Sequence, residues 1–218
     1  MKTFRTLNEL LFPERCISCG ALGLSICSEC RRKWNLHRYS TLVGKTPADQ
    51  IQVTSSVIYS SIAQKILLSA KESHIKRADQ LISEAIRHST LYILMNNWID
   101  VLVPIPSRPK AVRERGRQFI YEITEPISME FNIPIAPILR HTRAVRDQSG
   151  LHHNERWNNL KGAFVVEAKQ ISGQKALLVD DLVTTGATLY EAARALRYAG
   201  IEVIGAVTAA VALAPKIE

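Results

Sequence analysis

Residues 176–188, ALLVDDLVTTGAT, pass from four apolar residues into two carboxylates and then into a run of threonines around a single glycine. The nearly all-apolar run 175–179 reads as a strand buried on both faces, which is the pattern of a parallel sheet covered by helices. Leu189, Ala192, Ala193 and Leu196 then recur at helical spacing, and Gly200 stands where a helix-terminating glycine belongs, so 187–199 reads as a helix. Residues 202–213 resume as strand. Strand, helix and strand in that order form a βαβ unit and predict an α/β fold.

At the carboxyl end of such a strand the chain leaves the core at the crevice where open α/β sheets bind ligands. Two adjacent carboxylates are costly to bury there without a partner. Asp180 and Asp181 suit the vicinal hydroxyls of a ribose or a divalent cation. Thr184, Thr185, Gly186, Ala187 and Thr188 add hydroxyls and backbone N–H groups at the start of the next helix, a seat for a terminal phosphate. Two other phosphate motifs fail: Val43-Gly44-Lys45-Thr46 lacks the upstream glycine, because position 39 is Tyr, and no GxGxxG occurs.

Moving outward, 53–59 reads as a strand, and Ala78, Leu81, Ile82, Ala85 and Ile86 mark a helix between Ile75 and Met95. Residues 98–105 read as a buried strand ended by Pro104 and Pro106, 118–129 as a short helix limited or kinked by Pro126, and 163–166 as a short strand. The polar, basic stretch 140–160 reads as a long loop with at most a short helix near His152. A loop that long in a compact domain points to function.

The chain has 218 residues, 46% hydrophobic and 22% charged, which fits one main domain and a small appendage and excludes a disordered or fibrous chain. The division falls into residues 1–50, a metal module with its connector, and residues 51–218, the main domain. No apolar run reaches the roughly 18 residues of a membrane span, and the start lacks a secretory pattern, so a cytoplasmic location is expected. Lys and Arg number 28 against 20 Asp and Glu, giving +8 and suiting phosphates, single-stranded nucleic acid or an anionic membrane.

Arg108, Lys110, Arg113, Arg115 and Arg117 crowd ten residues directly after the 98–105 strand, at the sheet edge expected for the phosphate loop. A charge run is usually a solvated face; this one adjoins a site. Arg140, His141, Arg143, Arg146, His152, His153 and Arg156 form a second basic segment. Arg113, Arg115, Arg117, Arg143, Arg146 and Arg156 are therefore the candidate nucleic-acid contacts. Trp157 reads equally as a base-stacking platform or as a cover for the core.

Cys16, Cys19, Cys27 and Cys30 form two CxxC pairs separated by seven residues. Four thiolates at this spacing close a tetrahedral structural zinc site with no open position. Redox dithiols are the competing reading.

The whole chain resembles the ComF family of competence proteins, whose main domain is a type I phosphoribosyltransferase fold behind a four-cysteine zinc module. The resemblance rests on LLVDDLVTTGAT at 177–188, on VPIPS at 103–107 with its arginine-rich turn, and on Arg143, Gln148, Arg156 and Asn158 leading to GAF at 162–164. It implies 5-phosphoribosyl 1-diphosphate as ligand and Mg²⁺ as its companion. Asp180 and Asp181 would hold the ribose hydroxyls and serve catalysis, Thr184 to Thr188 the 5′-phosphate, and Ser107, Arg108 and Lys71 the rest of the ligand. Two departures stand out: Arg115-Gly116-Arg117-Gln118-Phe119 replaces the family's RGFNQ, and Glu72 follows Lys71 where the family has tyrosine.

Two classes of function stay open. One is a phosphoribosyltransferase with an unknown acceptor, acting in DNA uptake during natural transformation. The other is a non-catalytic protein that keeps the fold and binds single-stranded DNA or serves as an adaptor to a competence helicase or a membrane channel, at the inner face of the membrane. The fold also admits a homodimer.

Overall fold

The structure is a computed structural model and describes residues 13–143, 157, 159–167 and 173–212. Its elements in chain order are α1 (Ser28–Lys33), β1 (Tyr39–Val43), β2 (Ile51–Ile58), α2 (Ser61–Ser73), α3 (Lys76–Leu94), β3 (Val101–Pro104), α4 (Pro109–Arg115) and α5 (Phe119–Phe131). The rest are β4 (Leu139–His141), β5 (Phe164–Val166), β6 (Lys175–Val183), α6 (Ala187–Tyr198) and β7 (Glu202–Val211).

Five strands form one sheet in the order β1-β2-β7-β6-β3. β2, β7, β6 and β3 run parallel, and β1 is an antiparallel edge in the stretch expected as a connector. β4 and β5 pair separately as a two-stranded antiparallel ribbon. Alternation along β6 explains the layering. Leu177 and Val179 pack with α2, α3 and α5 on one face, and Ala176 and Leu178 pack with α6 and the β4–β5 ribbon on the other. A strand with a helix layer on each side has no water-facing side, which is why its sequence is almost continuously apolar.

Three expectations are corrected. β6 does not end before the aspartates: Asp180 pairs in register with Thr208, and the ladder continues to Val183. The helix carrying Pro126 runs through it to Phe131. Loss of one N–H is tolerated because Phe119, Ile120, Ile123 and Ile127 are buried against the core on either side of it. A further helix, α2, fills 61–73. Ser60 caps it by accepting from the Ala63 N–H, and Ala63, Ile66, Leu67 and Ala70 form its buried stripe.

Candidate functional site

Because β3 and β6 are parallel neighbours in register, with Pro104 opposite Val179, the chain leaving β3 emerges beside the two aspartates. The Ile105 N–H extends the ladder to the Val179 carbonyl at 2.9 Å. The Ser107 N–H is held by Gln118 Oε1 at 3.2 Å, and Arg108 precedes Pro109 at the first turn of α4. On the same face of the sheet as α5, the last turn of α2 supplies Lys71, whose Nζ lies 2.5 Å from Asp181 Oδ2 and 5.7 Å from the centre of the Phe119 ring. Lys71, Ser107, Arg108, Asp180, Asp181 and Thr188 line one cavity of about 400 Å³. Of the ten residues expected to hold the sugar phosphate, these six converge directly.

Asp181 is nearly without solvent exposure, so the Lys71 ammonium is its principal counter-charge. Asp180 accepts the Asp181 N–H at 2.9 Å. Burial of its carboxyl, reinforced by the charge of Asp181, pushes the Asp180 pKa well above the usual carboxylate value, and Lys71 offsets only part of this. The Asp180 carboxylate is therefore charged only at a cost. Such a carboxyl pair accepts hydrogen bonds from ligand hydroxyls and gains from any added cation.

The turn after β6 is placed by glycine. Gly186 has φ of +75°, and a Cβ there would lie 2.3 Å from Val43 Cγ1, so β1 packs directly on the turn. Thr184 is exposed, Thr185 half-buried, and Ala187 buried, its N–H 3.4 Å from Thr185 Oγ1. Within the fold it is the Val43 side chain that makes the close approach to Gly186.

The arginines separate into distinct environments. Arg113 is exposed. Arg115 lines the same cavity and is paired with Glu72 at 2.5 Å. Arg117 is turned inward, with only a tenth of its side chain exposed, bound to Asp79 at 3.0 Å and Glu122 at 2.9 Å and lying over Phe119. Arg143 donates to the backbone carbonyls of Asn159 and Lys161. Arg146 and Arg156 lie outside the described residues, as do Gln148, His152, His153 and Asn158. Trp157 is half-buried edge-on to Tyr190, with Lys45 over its ring. Sequence reasoning missed the Glu72–Arg115 pair. Its one available signal was the departure from tyrosine at position 72.

At the other end of α2 the four cysteines meet. One ligand atom from each of Cys16, Cys19, Cys27 and Cys30 lies within 4.8 Å of the others. Gly20 and Gly23 both take positive φ in the first knuckle, and Cys27 caps α1, placing Cys30 in its first turn. Burial opposes ionisation of Cys16, but hydrogen bonds from the backbone at Cys27, Cys19 and Ser18 prevail and lower its pKa to about 6. Burial pushes Cys30 up to about 12. The donor set is compatible with a structural metal: four sulfurs converge within 4.8 Å of one another. The knuckle is docked by Lys65 of α2, which donates to the Ser18 carbonyl at 2.7 Å, and by Cys16, Ile26, Cys30 and Trp34, which join the main core.

Among the described residues no helix is long and apolar enough to cross a membrane. The profile of the phosphoribosyl transferase domain matches residues 72–217. Competence protein F of Haemophilus influenzae is 31% identical over 108 residues, 48% of this chain and 47% of that protein, so the match spans about half of this curated relative. Among solved structures, an adenine phosphoribosyltransferase aligns at 14% identity and a TM-score of 0.45, over 84% of this chain and 89% of its own. The adenine phosphoribosyltransferase of Saccharomyces cerevisiae aligns at 12% identity and a TM-score of 0.43, over 84% and 88%. With a largely parallel sheet, a carboxylate pair in β6 and a profile match over residues 72–217, the chain belongs to the phosphoribosyl transferase domain family and is similar over about half its length to a competence protein.

Proposed function

We propose that the chain binds 5-phosphoribosyl 1-diphosphate with Mg²⁺ at the crevice beyond β6 and β3, and that it serves DNA uptake from the cytoplasm, with zinc in the knuckle. The observation that carries this reading is the convergence of Asp180, Asp181, Lys71, Ser107, Arg108 and Thr188 on one cavity. Its volume of about 400 Å³ is in the range of small-ligand pockets.

In this reading the two carboxylates accept hydrogen bonds from the ribose hydroxyls, and the turn Thr184 to Thr188 holds the 5′-phosphate at the start of α6. Ser107 and Arg108 face the diphosphate, with Lys71 and Arg115 adding positive charge on the same wall. Bound Mg²⁺ would neutralise charge building on a departing diphosphate. The raised pKa of Asp180 supports the fit, because a cation-bearing ligand offsets the burial and the Asp181 charge that raise it.

Calorimetry on the zinc-loaded chain tests the reading. Saturable uptake of 5-phosphoribosyl 1-diphosphate with Mg²⁺, lost in the double variant D180N/D181N, is expected. No uptake by folded wild-type protein would overturn it. Pyrophosphate release during incubation with amine or nitrogen-heterocycle acceptors then separates a transferase from a ligand-binding protein.

A further inference from the structure

His141 ends β4, outside the cavity lining, yet it touches the turn that carries Ser107 and Arg108. Its Nε2 stands 3.2 Å from the carbonyl oxygen of Pro106. A carbonyl oxygen only accepts, so Nε2 carries the proton and donates, leaving Nδ1 as the bare lone pair. Nδ1 is buried and has no hydrogen-bond partner among the described residues. The ring lies against Phe164, its cross-strand neighbour in β5, with centroids 4.8 Å apart. Burial lowers the pKa of His141, the Pro106 carbonyl counters this in part, and the charge of Arg108 adds to the lowering. The imidazole is therefore neutral at pH 7 and in a single tautomer.

The turn itself explains why such a contact is needed. Ile105 is anchored through its N–H to Val179, and Ser107 through its N–H to Gln118. Pro106, between them, has no N–H, so its carbonyl is its only backbone polar group. His141 takes that carbonyl. The three consecutive residues are thus tied to three different elements: β6, the start of α5 and the β4–β5 ribbon.

We propose that His141 is the positioning residue of the 105–108 turn, fixing Ser107 and Arg108 toward the cavity by donating from Nε2 to Pro106 and bracing its ring on Phe164. The consequence for a diphosphate group rests on the proposed function above; the positioning itself is a property of the free protein. A histidine that merely filled space beside Phe164 would be replaced by phenylalanine without effect on the turn.

The experiment uses the full zinc-loaded chain and three variants. H141F keeps a ring and loses the donor, H141Q places an amide N–H where Nε2 stands, and H141N places its amide nearer Nδ1. Amide hydrogen exchange at Ile105, Ser107 and Arg108 is read beside calorimetric affinity for inorganic pyrophosphate and for ribose 5-phosphate, both with Mg²⁺. In H141F exchange at Ser107 and Arg108 is expected to rise about fivefold, and pyrophosphate affinity to fall by a similar factor, as befits one lost hydrogen bond. Ribose 5-phosphate, seated at the far turn, is expected to stay within twofold. H141Q restores both readings and H141N restores neither.

Unchanged exchange in H141F overturns the proposal, and so does rescue by H141N as complete as by H141Q. If H141F does not fold, the contrast between Gln and Asn decides alone. Failure of wild-type protein to take up either ligand defeats the proposed function, while the exchange readings still decide the role of His141.

Discussion

The knuckle and the crevice stand at opposite ends of α2, and both gather groups that repel one another when ionised. In the knuckle four thiols face each other, and burial, with hydrogen bonds from the neighbouring cysteines, pushes the Cys30 pKa up to about 12. In the crevice the fold supplies its own counter-charge: Lys71 pairs with Asp181, while burial and the charge of Asp181 raise the Asp180 pKa. The contrast sets a region whose donors suit a metal from outside the chain against one whose charges the chain itself largely pairs. One should depend on its metal for folding, and the other should fold empty and keep a moderate strain that a ligand relieves.

The test with the largest expected effect removes the metal side of the contrast. C30S, or chelation of the wild type, should cost the knuckle metal-linked folding energy on the order of 10 kcal/mol. Metal content by mass spectrometry should fall to zero, and limited proteolysis should open residues 13–38 while the sheet stays protected. A knuckle still protected without metal would break the comparison.

Next comes the internal counter-charge. K71A leaves Asp181 buried without its partner and should cost about 3 kcal/mol or more in urea unfolding at pH 7. K71A as stable as wild type would mean that Asp181 has another source of compensation.

A smaller effect is expected at the joint between β1 and the 184–188 turn. G186A meets both a positive φ and the Val43 side chain, and should cost about 2 kcal/mol. Pairing it with V43A should recover the steric part and leave the conformational part, measurable as a double-mutant cycle.

The smallest effect has the opposite sign. The Asp180 pKa is raised on folding, so its contribution to stability is fully present below the unfolded value near 3.8 and is lost as pH rises through the folded value. At neutral pH it is a liability, and D180N should stabilise the protein by about 1 kcal/mol. The gain should vanish on acidification, and melting curves from pH 4 to 8 would show it. A D180N variant less stable than wild type at pH 7 would remove the strain from the comparison.

How much of this was legible in the sequence differs by element. β6, α6 and β7 were readable because an apolar strand, a helical stripe and a terminal glycine are local patterns. α2 had a legible stripe in Ala63, Ile66, Leu67 and Ala70 yet was not among the expected elements, being short and followed at once by another helix. β1 and β4 were not readable, since strands of five and three residues with partly exposed sides become strands only through their partners. Within the site, Asp180 and Asp181 were legible from the apolar run before them and Arg108 from the charge run after the 98–105 strand, whereas Ser107 and Lys71 came from the family resemblance. The inward turn of Arg117 did not, because its partner Asp79 lies 38 residues away on α3.

The sequence by itself determined the chemistry available: which strand carries paired carboxylates, which turn offers hydroxyls and which four sulfurs stand at metal-ligand spacing, all set by short spacings along the chain. Only the tertiary structure decided what each charge faces. Lys71 meets Asp181, Arg115 meets Glu72, Val43 meets Gly186 and His141 meets Pro106 through packing between elements distant in sequence. The physical reason is range: hydrogen-bonding capacity and backbone freedom belong to a residue, whereas burial and electrostatic partnership belong to a place that exists once the layers have closed on the sheet.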